Sequence, residues 1–157
     1  MATIQILVRV KESFGTDVPD PPGQGHRFIF SDDLVLERYD DSTPGIGLPL
    51  DPDERRAGTQ SGFQTLVRVA ATGDLFFPAG SELWHYEGTY SFNALDDTPL
   101  QKGQVTARGV ALFDGENVVD PPVRFAITGG TGPCSTAHGT VTEGVPEGDH
   151  RLLVIEL

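Results

Sequence analysis

The stretch Phe125-Ala-Ile-Thr-Gly-Gly-Thr-Gly-Pro-Cys-Ser-Thr-Ala-His-Gly-Thr-Val-Thr-Glu-Gly144 decides how the chain reads. Two β-prone runs, Val123 to Thr128 and Ala137 to Thr142, flank a Gly-Gly-Thr-Gly-Pro break. Alternation with β-branched residues on both sides of a glycine-rich turn is a hairpin signal. Gly129, Gly130 and Gly132 carry no Cβ to oppose a positive φ, and Pro133 stiffens the exit. A glycine-rich turn can also cradle phosphate, but a phosphate loop ends in Gly-Lys-Ser/Thr and opens a helix. This one has no lysine and runs into Gly139, Thr140 and Val141, which suit a strand. The stretch reads as a tight corner of an antiparallel sheet.

Working outward, 157 residues make one domain, spanning 1–157 and long enough to bury a substantial core. Hydrophobic residues are 38% of the chain, with 19 Gly and 12 Pro, a balance that favours strands joined by many turns. The net charge of −12 argues against nucleic acid and against an anionic membrane surface, both of which need clustered Lys and Arg. Neither nucleic acid nor membrane is expected as a partner. A single cysteine, Cys134, excludes an internal disulfide framework and a multi-cysteine metal site. The opening residues, Met-Ala-Thr-Ile-Gln-Ile-Leu-Val-Arg-Val, read as a strand and lack the basic region and cleavage pattern of a signal peptide. No apolar run approaches the roughly 20 residues of a membrane span. A soluble, cytoplasmic protein is expected.

From Thr3 to Lys11, Ile4, Ile6, Val8 and Val10 alternate with Gln5, Leu7, Arg9 and Lys11, the pattern of a half-buried strand. A proline-rich loop from Asp17 to Gly25 precedes a second strand, His26 to Leu36, where Phe28, Phe30 and Asp32 share one face. Residues 37–56 hold Pro44, Pro49 and Pro52, with Ile46, Leu48 and Leu50 at strand spacing. Long loops inside a compact domain are uncommon, so this segment is expected to be an inserted loop, either a lid or a floppy insertion. A strand from Ala57 to Ala71 follows, with bends at Gly58 and Gly62. Ser81 to Asn93 puts Trp84, Tyr86, Gly88, Tyr90 and Phe92 on one face. Gln104 to Phe113 puts Val105, Ala107, Gly109, Ala111 and Phe113 on one face, and His150 to Leu157 closes the chain as a strand. About eight strands at regular spacing, without a convincing helix, give a sandwich or a barrel.

Large aromatic residues on one strand facing Ala107, Gly109 and Ala111 on the next are consistent with a filled core or with an aromatic-walled cavity. The hydroxyls of Tyr86 and Tyr90, the Trp84 indole and the Asp32 carboxyl need partners if buried, which water or a ligand can supply. Ready-made catalytic constellations are absent. Ser61 is not in nucleophile-elbow spacing, and His26, His85, His138 and His150 lack zinc-ligand spacing. Asp51-Pro-Asp-Glu54 misses the calcium-loop pattern, and there is no dinucleotide fingerprint. No metal and no tightly bound cofactor is expected.

Several segments together resemble the allene oxide cyclase-like family, which includes the plant dirigent proteins. They are His26-Arg-Phe-Ile-Phe-Ser-Asp-Asp-Leu34, Gly58-Thr-Gln-Ser-Gly62, Tyr86-Glu-Gly-Thr-Tyr-Ser-Phe92, Gly103-Gln-Val-Thr-Ala-Arg-Gly109 and Ala126-Ile-Thr-Gly-Gly-Thr-Gly132. The resemblance implies an eight-stranded antiparallel β-barrel with a central cavity, assembled as a homodimer or homotrimer. Catalytic members of the family work by shaping a reactive substrate: a fatty-acid epoxide, coupling radicals, or a chain undergoing intramolecular [4+2] cycloaddition. By the same resemblance Asp32 stands at a cavity asparagine, Tyr86 at a cavity aromatic and Gln64 at a cavity cysteine. The pattern is broken at Arg9 and Lys11, which replace a carboxylate and an asparagine, and at Ala111, which replaces a tyrosine. Allene oxide cyclisation itself is therefore not expected. The expected activity is cofactor-independent cyclisation of a hydrophobic polyketide- or lipid-like substrate, with non-catalytic carriage of an apolar molecule as the alternative. Tyr86, Asp32 and Gln64 are the candidate polar groups. Trp84, Tyr90, Phe92, Phe28, Phe30 and Ala111 are the candidate wall, and Arg9 is a candidate anchor for an anionic group.

Overall fold

The computed structural model describes residues 4–16, 19, 21–41, 47–49, 56–95, 100–114, 117–118, 122–144 and 150–157. For the strand residues 4–9, 11–14, 36–41, 47–49, 117–118 and 150–152 that description covers the backbone only. The strands are β1 (Ile4–Gly15), β2 (Arg27–Asp41), β3 (Gly47–Pro49), β4 (Arg56–Val69), β5 (Glu82–Ser91), β6 (Gln104–Asp114), β7 (Asn117–Val118), β8 (Val123–Thr131), β9 (Thr140–Glu143) and β10 (His150–Glu156). One 3-10 turn, Gly132–Cys134, follows β8, and there is no α-helix among the described residues. Accordingly, no helix there is long and apolar enough to cross a membrane.

The strands form one curled, antiparallel sheet in the order β1-β10-β9-β8-β6-β5-β4-β2-β3, with β7 appended to β6. β1 pairs with β10 from Gln5 to Lys11 and also with β2 from Ile4 to Gly15, so each long strand has a neighbour on both sides. Curling is helped by irregular pairing: Leu34 pairs with Gly58 but Val35 with Arg56, which leaves Ala57 as an extra residue. The bend expected at Gly58 lies at this bulge. Gly62 pairs regularly on both sides, and a Cβ there would stand 2.1 Å from the Glu87 carbonyl oxygen.

Two expectations about chain breaks change. In the opening stretch the strand runs on through Gly129 and Gly130 to Thr131, because Gln104, Val105 and Thr106 of β6 pair with Thr131, Gly130 and Gly129. The corner is instead the 3-10 turn at Gly132–Cys134, and β9 starts only at Thr140. The segment 37–56 is also less of a loop than expected. Residues 37–41 continue β2, and β3 folds back on them through the pairs Arg38 with Pro49 and Tyr39 with Leu48. Residues 42–46 and 50–55 of that segment lie outside the described residues.

Alternation sorts the side chains to two faces. Phe30, Asp32 and Leu34 of β2, Gln60 and Leu66 of β4, Trp84, Tyr86 and Tyr90 of β5, Val105, Ala107 and Ala111 of β6, Phe125 and Ile127 of β8, Val141, Leu153 and Ile155 are buried. Val10 is buried on β1, as the alternation there predicts.

Candidate functional site

The inner face is best followed as rows of paired residues across β2, β4, β5 and β6. One row holds Phe28, Gln64, Tyr86 and Gly109, and the next holds Phe30, Gly62, Gly88 and Ala107. The third holds Asp32, Gln60, Tyr90 and Val105. The middle row is almost bare of side chain from Gly62 to Ala107, and the Tyr86 ring lies across it. A Cβ on Gly88 would stand 2.3 Å from the Tyr86 hydroxyl oxygen and 2.7 Å from Cζ, so only glycine admits the ring.

Because the ring bridges that row, its hydroxyl meets the third. Gln60 Nε2 donates to Tyr86 Oη at 2.6 Å, and the Tyr86 and Tyr90 hydroxyl oxygens lie 3.0 Å apart. Asp32 pairs with Gln60 across the strands and is buried as well. Gln60 Oε1 has no hydrogen-bond partner among the described residues. Four polar side chains thus meet inside an otherwise apolar interior.

Above them the aromatic rings stack nearly parallel. Ring centroids are 6.3 Å apart for Phe28 and Phe30, 5.5 Å for Phe30 and Tyr86, and 4.2 Å for Tyr86 and Phe125. Gly109 makes room for the last of these: a Cβ there would stand 2.6 Å from Phe125 Cδ1. Offset stacking of this kind adds about 0.5–1.5 kcal/mol per pair beyond burial.

The two ends of the interior differ. Toward the C-terminal end of β5, Tyr90, Phe92, Leu95 and Val105 have no solvent exposure at all, and Cys134 and Leu100 pack with them. Toward the N-terminal end of β5, Phe28, Gln64 and Val123 are only half-buried. Leu66, Trp84 and Ala111 are buried there, yet they stand outside the contiguous apolar cluster that includes Phe30, Tyr86 and Phe125. Trp84 pairs with Leu66 on one side and Ala111 on the other, and its indole N–H donates to Glu82 Oε2 at 2.9 Å.

Of the candidate residues, Tyr86, Asp32, Tyr90, Phe30, Trp84 and Ala111 therefore face inward and are buried, with Phe28 and Gln64 half-buried on the same face. Phe92 lies just beyond β5 in the tightly packed end, where its N–H donates to the Gly103 carbonyl at 2.9 Å. The side chain of Arg9 lies outside the described residues. The sequence reading missed three participants: Gln60, Phe125 and Glu82. Each shares the parity of an inward neighbour (Gln64, Ile127 and Trp84 respectively), and that was the available signal. Among the described residues no group of three His, Cys, Asp or Glu side chains could hold a metal ion.

No known family model matches this sequence, and no curated protein matches it significantly. Among solved structures, a pyocyanin demethylase is similar, with a TM-score of 0.63 and 21% identity over 98% of this chain and 99% of that one. At that identity the likeness extends to the fold, a small β-barrel-like sheet, and not to the allene oxide cyclase-like family by name.

Proposed function

We propose that the curled sheet works as a closed eight-stranded barrel whose end nearest Trp84 opens into a cavity for an apolar small molecule. In that cavity the chain acts as a cofactor-independent cyclase or isomerase on a hydrophobic, polyketide- or lipid-like substrate. The observation that carries the reading is the change in burial along the interior. Tyr90, Phe92, Leu95 and Val105 are fully enclosed, whereas Phe28, Gln64 and Val123 toward the Trp84 end are only half-buried. The pairing of β1 with both β2 and β10 supports closure, and the match over nearly the whole of an enzyme of similar fold is compatible with catalysis in such a barrel.

The stacked faces of Phe28, Phe30, Tyr86 and Phe125 form the floor of the cavity, Trp84 and Ala111 its wall, and Gln64 the amide within reach of a substrate carbonyl. Holding a flexible conjugated chain in one near-attack conformation removes up to about 7–11 kcal/mol of barrier in favourable systems. Such a reaction moves no net atoms and needs no obligatory acid or base. Tyr86, tied to Gln60 and Tyr90, fixes the floor and polarises it from beneath, with Asp32 beside the network. The assembly is a homodimer or homotrimer.

A specific observation favours the carrier alternative: the Tyr86 and Tyr90 hydroxyls face each other in the closed end and not the open one. One experiment separates the two. The protein is incubated with a linear polyene precursor, and product is analysed for a cyclised isomer of unchanged mass. Accelerated formation of one stereoisomer supports the cyclase, whereas product at the uncatalysed rate and ratio leaves only carriage.

A further inference from the structure

The loop between β4 and β5, residues 70–81, lies at the Trp84 end of the sheet, and of the six exposed large hydrophobic side chains among the described residues four fall on this hairpin end. Leu75 and Phe76 at its tip are 91% and 81% exposed, and Val67 and Val69 on the adjoining strand are 42% and 44% exposed. A floppy loop would hide such residues at least part of the time, but this one is braced. Ala70 and Ser81 close its base through Ala70 N–H to the Ser81 carbonyl and Gly80 N–H to the Ala70 carbonyl, both at 2.8 Å. Asp74 Oδ1 accepts the N–H groups of Phe76 at 2.9 Å and Phe77 at 3.2 Å, and Asp74 Oδ2 is ion-paired with Arg68. The Arg68 guanidinium also lies 5.8 Å from the Phe77 ring centroid. Phe77 is thereby half-buried, and Leu75 and Phe76 are left outward.

We propose that this tip docks the open end onto an uncharged lipid surface, with Leu75 and Phe76 entering the acyl boundary. Charge selects that partner. Residues 70–81 carry one acid and no base, and that acid is neutralised by Arg68, so the tip is locally uncharged on a chain of net charge −12. A chain this acidic is repelled by an anionic membrane, and the tip has no charge with which to recognise a basic protein. A zwitterionic surface demands only apolar insertion. The net charge of −12 disfavours anionic membrane surfaces alone. Docking there would also bring the open end to the phase in which an apolar substrate is concentrated. Vesicle binding does not require a cavity, so its failure would leave the function proposed above standing.

The test is flotation of the full chain with vesicles of pure phosphatidylcholine and of pure phosphatidylglycerol. Wild type is expected to float with phosphatidylcholine, insensitively to salt, and to bind phosphatidylglycerol less. Leu75→Ser with Phe76→Ser, at fully exposed sites, is expected to reduce partitioning about tenfold or more. Absence of flotation, equal flotation of the double variant, or a preference for phosphatidylglycerol would overturn the proposal. Self-association of wild type that the double variant abolishes, without flotation of either, would overturn it in favour of a protein contact.

Discussion

Tyr86 reaches its hydrogen-bond partners by crossing a row of the sheet that carries almost no side chains. Two single-residue predictions follow from that geometry. Tyr86→Phe leaves the buried Gln60 Nε2 without its acceptor, and an unsatisfied buried donor costs about 1–3 kcal/mol of stability, readable in urea denaturation. Gly88→Ala places a methyl into the Tyr86 ring, and overpacking of this kind costs about 1–3 kcal/mol or more by the same measurement. Unchanged midpoints in both would mean that the ring is not held where the structure puts it. Cys134 provides an independent check on the packed end: burial pushes its thiol pKa up. In the native protein it should resist a thiol-specific reagent at mildly alkaline pH and react promptly once unfolded. That Tyr86 faces inward was legible, because alternation along β5 is strict. Its contact with Gln60 was not legible, since it depends on strand register and on Gly62 and Gly88 lying side by side.

At the scale of the element, the strands were readable wherever the alternation was clean, as along β5 and β6. The errors came where glycine and proline were read as chain breaks. Gly129 and Gly130 stay in β8 because the edge of β6 needs pairing partners, and a Cβ on Gly130 would stand 2.2 Å from the Cys134 carbonyl oxygen. At Gly130 the missing side chain serves a close approach between backbones and not a turn. Pro49 likewise sits in β3, which among the described residues pairs with β2 alone and can spare a donor. The β4–β5 loop carries no alternation to read, and its order comes from Asp74, whose carboxylate caps the Phe76 and Phe77 amides. The Phe76 N–H foremost, then the Phe77 N–H and Arg68, hold the Asp74 carboxyl pKa below its ordinary value, with burial opposing them. With its folded pKa depressed, the brace is fully present above the unfolded carboxylate value of about 3.9 and is lost as pH falls through the lower folded value. The Phe76 amide proton resonance should therefore shift only in that acid range. In Asp74→Asn the titration should vanish, and its persistence would assign the effect to another group.

On the scale of the whole molecule, an antiparallel all-β sheet was legible from composition and turn spacing. The aromatic strand turned out to face the interior as expected. What the sequence did not reveal was the difference in burial between the two ends of the sheet. Tyr90 and Phe92 continue the pattern of Trp84 and Tyr86 in sequence, but they lie in a fully enclosed end, whereas Phe28, Gln64 and Val123 toward the Trp84 end are only half-buried. Periodicity assigns a face and carries no information about depth. The proposed function requires a space bounded by Trp84, Ala111 and the Tyr86 ring. Trp84 is the sole tryptophan of the chain and would report on that space. The most direct measurement is a titration of its emission with a linear polyene such as all-trans-retinol, repeated in Ala111→Phe, which fills the position paired with Trp84. The proposed function predicts saturable one-to-one quenching in wild type and affinity weakened about tenfold or more in the variant. Unsaturable quenching, or equal affinity in a folded Ala111→Phe, would contradict it.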